Sequence, residues 1–530
     1  MLFARRAVRV GAFLGAALAA AGLSLLPGPG TASARPASTV APVNLPGAVQ
    51  GVAVDSSTDT AYVTALTASQ TQSDSVYAVD LTTGTVIATI PVGRQPRAIA
   101  VNPVTDTVYA ANWRDATVSV ISGATDTVTA TIALPAQGGD LSDMAVDATT
   151  NTIYISGGSG SPSKGVFVLN GATSSVSFIA LSDCEDPPVG VAINPATNTV
   201  YTNCDGYDLS NHIFAINGAT GMVTNDVAEK YQSDGQVTVD PNTNLLYISR
   251  TGTGTGQGVT AYDGTTLAPV GEVSLPGNPL SLEDNPDTGT VYAAFTSPAA
   301  GQDVIDLISG ASTAVTGTIP VSGSGWIAAE PTVDTLVYAA NGDPGAALWV
   351  IPLTTPAISS RDAATFTTDI AARFTFAGTG TPAPAFTEKG RLPYDLSLYP
   401  DGTLCCMPGA GTGGVYPITI TAANGVAPAA TQRFTLTVDE APTIISANHF
   451  WFTHGKRGTF TVRTTAFPVA TVTEHGTLPP GVRFTASKNG TATISGIAAK
   501  AARGRSYLIR LTARNGVGAN ATQWFTLRVG

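Results

Sequence analysis

The chain has 530 residues, 43% of them hydrophobic and 12% charged, with a formal net charge of −11 at pH 7. Few Lys and Arg beside 56 glycines argue against a nucleic-acid-binding protein and suit an all-β chain with many turns. Charge is divided unevenly: residues 35–355 hold 7 Lys/Arg against 29 Asp/Glu, a net of −22, residues 356–440 a net of −2, and residues 441–530 hold 11 against one, a net of +10. Such asymmetry bears on partners and solubility rather than on fold.

Arg5, Arg6 and Arg9 precede an apolar Ala/Leu/Gly run that ends in Ala32-Ser33-Ala34. Residues 1–34 therefore read as a secretory signal peptide cleaved after Ala34. No cysteine follows the run and no second long apolar run occurs, so neither a lipoprotein anchor nor a membrane span is expected in the mature chain. The expected location is extracellular, with association to the cell wall.

Residues 35–355 are built on one repeating unit. An apolar strand, a turn on Asn or Asp and a second strand carrying tyrosine recur with Tyr62, Tyr109, Tyr154, Tyr201, Tyr247, Tyr292 and Tyr338. A constant spacing in the mid-forties marks a repeat architecture. Each unit divides into two hairpins, giving four short strands. The strands are nearly continuously apolar, which implies burial on both faces, and seven such sheets packed around an axis make a seven-bladed β-propeller. The first strands carry Ala53, Ala100, Ala145, Ala192 and Ala328, small residues suited to the crowded axis. Pro352 and Pro356 cut short a fourth strand in the last unit, so an N-terminal strand at about 38–43 is expected to close it. The tyrosines read as packed repeat residues with paired hydroxyls.

Loops on one rim of this ring carry the candidate ligand-binding residues Arg94, Arg97, Asn112, Trp113, Arg114, Asp115, Asp140, Asp143, Asp183, Glu185, Asp186, Asn203, Asp205, Asp208, Arg250, Asn341 and Asp343. Cys184 and Cys204 fall on that rim and are expected to form a disulfide, whereas Cys405 and Cys406 are adjacent. In the sixth unit Glu283-Asp284 replaces the small and β-branched residues of other first strands. The pair is expected to face the axial water or to hold a structural cation. No other cofactor is suggested. One histidine in the repeats, His212, and the absence of GxSxG or HExxH leave catalysis with little support.

Tyr62-Val63-Thr64, AVNPVTDTVYAAN at 100–112, TVSVIS at 117–122 and TIPVG at 89–93 are similar to the YVTN β-propeller repeat family. The resemblance covers about residues 40–353. It implies a propeller of a kind that serves as a binding platform, as a relative of redox proteins or, in a few cases, as an enzyme, and fold alone does not fix the function.

Residues 356–440 and 441–530 read as a tandem pair of β-sandwiches. FTEKGRLPYDLSL at 386–398 parallels VTEHGTLPPGVRF at 472–484, and each copy later carries an Asn-Gly-Val turn. Leu478-Pro479-Pro480-Gly481, Ile494-Ser495-Gly496 and Ala513-Arg514-Asn515-Gly516 resemble the Ig-like, cadherin-like modules of bacterial surface proteins. The first copy departs at Cys405-Cys406. In the basic second copy, Lys456-Arg457 occupies a turn separate from Lys500, Arg503 and Arg505, and these residues are candidates for binding a polyanion.

The expected function is that of a secreted cell-envelope binding or adhesion protein, with an anionic cell-wall glycan or an envelope protein as partner. The alternative is a propeller enzyme of the metal-dependent lactonase or hydrolase type with its site on the rim.

Overall fold

A computed structural model describes residues 42–66, 73–135, 140–158, 164–204, 211–229, 235–251, 256–297, 302–330, 334–341 and 345–530. The expected signal peptide, residues 38–41 of the expected closing strand, and Asp205, Asp208 and Asp343 lie outside them.

Seven four-stranded antiparallel sheets follow one another through residues 43–352. The first six are meanders of consecutive strands, such as Pro96–Asn102, Thr107–Asn112, Thr117–Ser122 and Thr127–Ala133 in the second. The first hairpin turns on an Asp or Asn whose carboxyl or amide oxygen accepts the N–H two residues on: Asp55 from Ser57 at 2.9 Å, Asn102 from Val104 at 3.0 Å, Asp147 from Thr149 at 2.9 Å and Asn194 from Ala196 at 2.9 Å. Four residues later Asp59, Asp106, Asn151 and Asn198 take φ between 48° and 53°, a conformation that Asp and Asn tolerate best among side-chain-bearing residues. The recurring Asn/Asp punctuation is thus turn chemistry. Second strands are buried on both faces, as in Thr107–Asn112, whereas the fourth, Thr127–Ala133, alternates and meets water on one side.

The first strand of each sheet lies against the next. Ala48–Asp55 meets Pro96–Asn102, followed by Asp143–Asp147, Val191–Asn194, Val237–Asp240, Pro279–Asn285 and Ser324–Glu330, which meets Ala48–Asp55 again. The fourth place in the seventh sheet is filled by Val43–Asn44, paired with Leu348 and Ala347. Val43 and Leu45 bury their side chains in one core with the first sheet's Val49 and Val63, and of the expected closing strand at about 38–43 only residues 42 and 43 fall among the described residues.

Tyrosines pin successive sheets together. The hydroxyl of Tyr109 donates to Asn151 Oδ1 at 3.3 Å in the next sheet, and that of Tyr201 lies 2.9 Å from Gly264 O and 3.2 Å from Asn244 Oδ1. The rings of Tyr109, Tyr154 and Tyr201 each abut a glycine of the neighbour: a methyl added to Gly171, Gly218 or Gly264 would stand 2.5, 2.8 or 2.6 Å from the respective hydroxyl. Tyr338 departs from this column. Ala328 pairs with Val337, where Ala100 pairs with Tyr109, so the seventh tyrosine sits one residue late and points the opposite way. Val337 instead faces the first sheet and packs with Leu81, while Tyr338 turns back toward Tyr292 and bonds Gly323 O within its own sheet.

Residues 354–530 form two β-sandwiches with the same strand plan. Ala363–Thr367 runs parallel to the last strand of its module, as His449–Phe452 does in the second. Phe366, Phe374, Phe376, Phe386 and Phe434 centre the first core, and Phe452, Val462, Ile494, Ile509, Phe525 and Leu527 the second. The expected boundary at 440/441 falls inside one continuous strand, Ala430–Ile444, whose far end pairs with Arg457–Phe467 of the second module. Asn424 donates to Thr354 O and Pro382 O, and Asn515 likewise to Glu440 O and Pro468 O, so the Asn of each Asn-Gly-Val turn staples its module's entry. Val426 of the first such turn packs into the core shared by the sixth and seventh sheets.

The matching strand plan also explains Cys406. It pairs with Leu396 and Ala372 as Gly496 pairs with Val482 and Gly458, so it occupies a glycine position and is held at φ 110°. Cys406→Gly is expected to stabilise the chain by about 1 kcal/mol, relief of backbone strain outweighing glycine's entropy in the unfolded state. A urea midpoint that falls in this variant would contradict it.

Candidate functional site

The seven first strands surround two adjoining cavities of about 270 and 220 Å³. Ala53, Ala100, Ala145 and Ala328 line the first and Ala192 the second, leaving space where larger side chains would fill it. The polar lining comes from strand starts: Gln50, Arg97, Ser142, Asp143, Gln236 and Ser281, with the indole of Trp326 among them. Glu283 and Asp143 border both cavities.

At the mouth, the Arg97 guanidinium lies 4.5 Å over the Trp113 ring, and Trp113 Nε1 donates to Asp140 Oδ1 at 3.1 Å. Beside it Arg94 Nε donates to Asp115 Oδ1 at 2.6 Å and the Arg94 backbone N–H to Oδ2 at 2.7 Å. Burial pushes the Asp115 carboxyl up, but the Arg94 backbone N–H, side-chain hydrogen bond and charge outweigh it and hold it below the usual carboxylate range. Arg94, Arg97, Trp113, Asp115 and Asp140 therefore form one group, and Arg114 is exposed next to it.

Deeper in, burial pushes Asp143 up to about 6, opposed by the N–H groups of Val191 and Met144 at 3.0 and 2.8 Å. Burial, then the charges of Asp284 and Asp143, pushes Glu283 up to about 8, the Ala329 N–H opposing. Burial thus holds both acids above the usual carboxylate range, Glu283 the more strongly.

Several sequence candidates prove structural. Asn112 is buried and donates to Thr117 Oγ1 and Ser119 Oγ at 3.0 and 2.9 Å. Asn203 bridges Gly190 N and Gly235 O, tying the fourth sheet to the fifth. Asn341 accepts from Val49 N and donates to Val49 O at 2.7 and 2.9 Å, joining the seventh sheet to the first. Arg250 is 1% exposed, with Nη2 on Val273 O at 3.1 Å and Nη1 3.3 Å from Glu272. All four lie at or next to the ends of second strands, Asn203 and Asn341 bonded to the next sheet and Asn112 and Arg250 bonded within their own. Nor do Glu283 and Asp284 converge on a cation: adjacent strand residues point to opposite sides, and only Glu283 lines the channel. Asp284 is 9% exposed, both its oxygens lack a hydrogen-bond partner, and burial followed by the charge of Asp240 pushes it up to about 8. Among the described residues no group of three or more His, Cys, Asp or Glu is placed to hold a metal ion.

Gln50, Gln236, Ser281 and Trp326 were not singled out from sequence. Their signal was position, two or three residues ahead of the place that is small in most first strands.

Cys184 and Cys204 form a disulfide with Cα atoms 5.7 Å apart. It ties the loop bearing the exposed Asp183 and Glu185 and the half-buried Asp186 to the end of strand Thr199–Cys204. Cys184→Ser is expected to lower stability by about 3 kcal/mol, the entropy of a loop of this size. Unfolding curves of parent and variant that coincide under non-reducing conditions would contradict it.

In the basic module the two expected cationic groups meet. Gly455 N donates to Ala498 O at 3.0 Å and Arg457 pairs with Ile497, which brings the Lys456-Arg457 turn beside the short 3-10 turn Lys500–Ala502. Lys456, Arg457, Lys500, Arg503 and Arg505 are all exposed at this one pole, rather than in separate places. None of them takes part in the ion pairs found among the described residues, Arg94–Asp115, His212–Asp226 and Arg250–Glu272.

A family model described as "Putative Ig domain" matches residues 350–439. No curated protein matches the chain. Among solved structures, one titled "Kuenenia stuttgartiensis Hydrazine Synthase" aligns at 16% identity over 59% of this chain and 96% of that one, with a TM-score of 0.47, too loose a likeness to carry an argument. The chain is an all-β protein of repeated four-stranded sheets with an Ig-like domain.

Proposed function

We propose that the seven sheets form a seven-bladed β-propeller of the YVTN type, joined to two Ig-like modules in a secreted protein that binds at the cell exterior. The propeller reading is supported by the succession of contacts among first strands, by Val43–Asn44 completing the seventh sheet, and by the bridge from Asn341 to Val49. The channel mouth around Arg97 and Trp113 is the ligand platform. The basic pole docks the protein on an anionic glycan of the envelope.

The observation that carries the docking role is the convergence of five exposed cations at one pole of a module that holds a single acid. Clustered like charges cost self-repulsion and are retained where a polyanion neutralises them. The mature chain, residues 35–530, is expected to be retained on purified cell wall at low ionic strength and released as salt shortens the screening length to about 8 Å near 0.15 M. A variant with Lys456, Arg457, Lys500, Arg503 and Arg505 changed to Gln should lose most of that retention. Equal retention of variant and parent would defeat the docking role.

A further inference from the structure

We infer that the outer face of one sheet in the second sandwich is a binding site for an anionic polysaccharide chain. The inference rests on the docking role proposed for the pole and names the ligand class and the face that reads it. The sheet comprises Thr471–Gly476, Ser506–Arg514, Ala521–Val529 and His449–Phe452. Its inner side carries Val472, Ile509, Leu511, Phe525 and Leu527 into the core. Alternation sends Trp451, Trp524, Leu508, Arg510, Arg514 and Arg528 outward.

Trp451, Trp524 and Leu508 are 59, 61 and 59% exposed, a large apolar area to leave in water. Cations are interleaved with it. Arg510 pairs across the strands with Trp524, and Arg528 pairs with Trp451, its guanidinium 5.0 Å over the indole. Glu474, the module's one acid, lies on the same side of its strand as buried Val472, away from this face. The fold does not require these residues. At the matching register positions the first sandwich has Thr365, Arg433 and Thr437 for Trp451, Trp524 and Arg528, and Thr419 for Arg510.

A flat sheet face with two indoles suits an extended chain rather than a small molecule. Trp524 and Arg528 are four residues apart, about 13 Å along the strand, so the two aromatic–arginine pairs span several sugar units. Indole faces stack on the apolar faces of sugar rings while guanidinium groups hold carboxylate or phosphate groups in two-point hydrogen bonds. The face is continuous with the pole, since Val529 N donates to Arg505 O at 3.1 Å. One polyanion can therefore run from Arg505 past Arg528 and Trp451 toward Arg510 and Arg514.

The test measures binding of the mature chain to polygalacturonate, to a phosphorylated mannan and to neutral dextran, at about 0.1 M salt. Binding to a carboxylated or phosphorylated polymer and not to dextran is expected, and the polymer bound tells which anionic group is read. Trp451→Ala with Trp524→Ala should weaken it about tenfold, and Arg510→Gln with Arg514→Gln, at exposed positions, should do the same with an unchanged unfolding transition. If both face variants bind as the parent does while the pole variant fails, the face has no such role and the pole reading stands. If the pole variant binds normally and the face variants do not, the face stands and the pole reading falls. Binding of dextran as tight as that of either polyanion, or no binding of any polymer, overturns the inference.

Discussion

Asp284→Val is expected to stabilise the protein by about 4 kcal/mol at pH 7 and by much less at pH 4. At the corresponding place the other first strands carry Val54, Val101, Val146, Ile193, Val239 and Ala329, all apolar. Asp284 is buried there with both oxygens unpartnered, and the Tyr247 hydroxyl, which feels its charge, also lacks a partner. Burial and then the charge of Asp240 push the folded carboxyl up to about 8 from an ordinary 3.8. Below 3.8 both states bind the proton and the group adds no pH dependence. As pH rises above that, the unfolded chain releases the proton while the folded chain retains it, so stability falls steadily until about pH 8 and then levels off. At pH 7 the penalty is about three pKa units' worth of free energy, and a smaller cost of an unsatisfied buried hydroxyl remains at any pH. Urea unfolding of parent and variant at pH 4 and pH 7 reads the difference. Equal gains at the two pH values, or a loss at pH 7, would show that the carboxyl is not held protonated in the fold.

The repeat itself was legible because it is written in turn chemistry and spacing. Asn102, Asn194 and their counterparts mark the same hairpin in successive sheets, and the expected disulfide needed only two cysteines flanking one hairpin on one side. What spacing hides is register. The interval from Tyr292 to Tyr338 is ordinary, yet one extra residue before the last tyrosine turns Tyr338 to the opposite face, and only strand pairing shows it. Burial was the second thing hidden: Asn112, Asn203 and Arg250 look like surface polar residues yet are buried, and Asn341 is taken up by its bridge to Val49 of the first sheet. The channel residues Gln50 and Gln236 have no composition to mark them, only a place at a strand start. The convergence of Lys456-Arg457 with Lys500 depends on a long-range pairing between Arg457 and Ile497 that local sequence does not announce.

Tyr201→Ala is expected to cost about 3–5 kcal/mol, the range for removing a large buried aromatic ring. The ring is 1% exposed and belongs to the core formed with Val237, Val239, Leu246 and Ile248 of the following sheet, so its loss opens a cavity between two sheets. Tyr201→Phe separates the hydroxyl from the ring. It removes the contacts to Gly264 O and Asn244 Oδ1, of which the second is still satisfied by Asn194 Nδ2 at 2.7 Å, and should cost about 1 kcal/mol. Tyr247→Phe removes the same atom from a column position where it has no partner, and there the change should be neutral or stabilising, because a buried orphan hydroxyl is itself a penalty. Gly264→Ala attacks the contact from the other side, since its methyl would stand 2.6 Å from the Tyr201 hydroxyl and 2.7 Å from Asn244 O, closer than either can yield without parting the sheets. Urea midpoints for the four variants order the terms. If the two Tyr→Phe changes cost the same, the hydroxyls do not pin neighbouring sheets and the tyrosine column works through its rings alone.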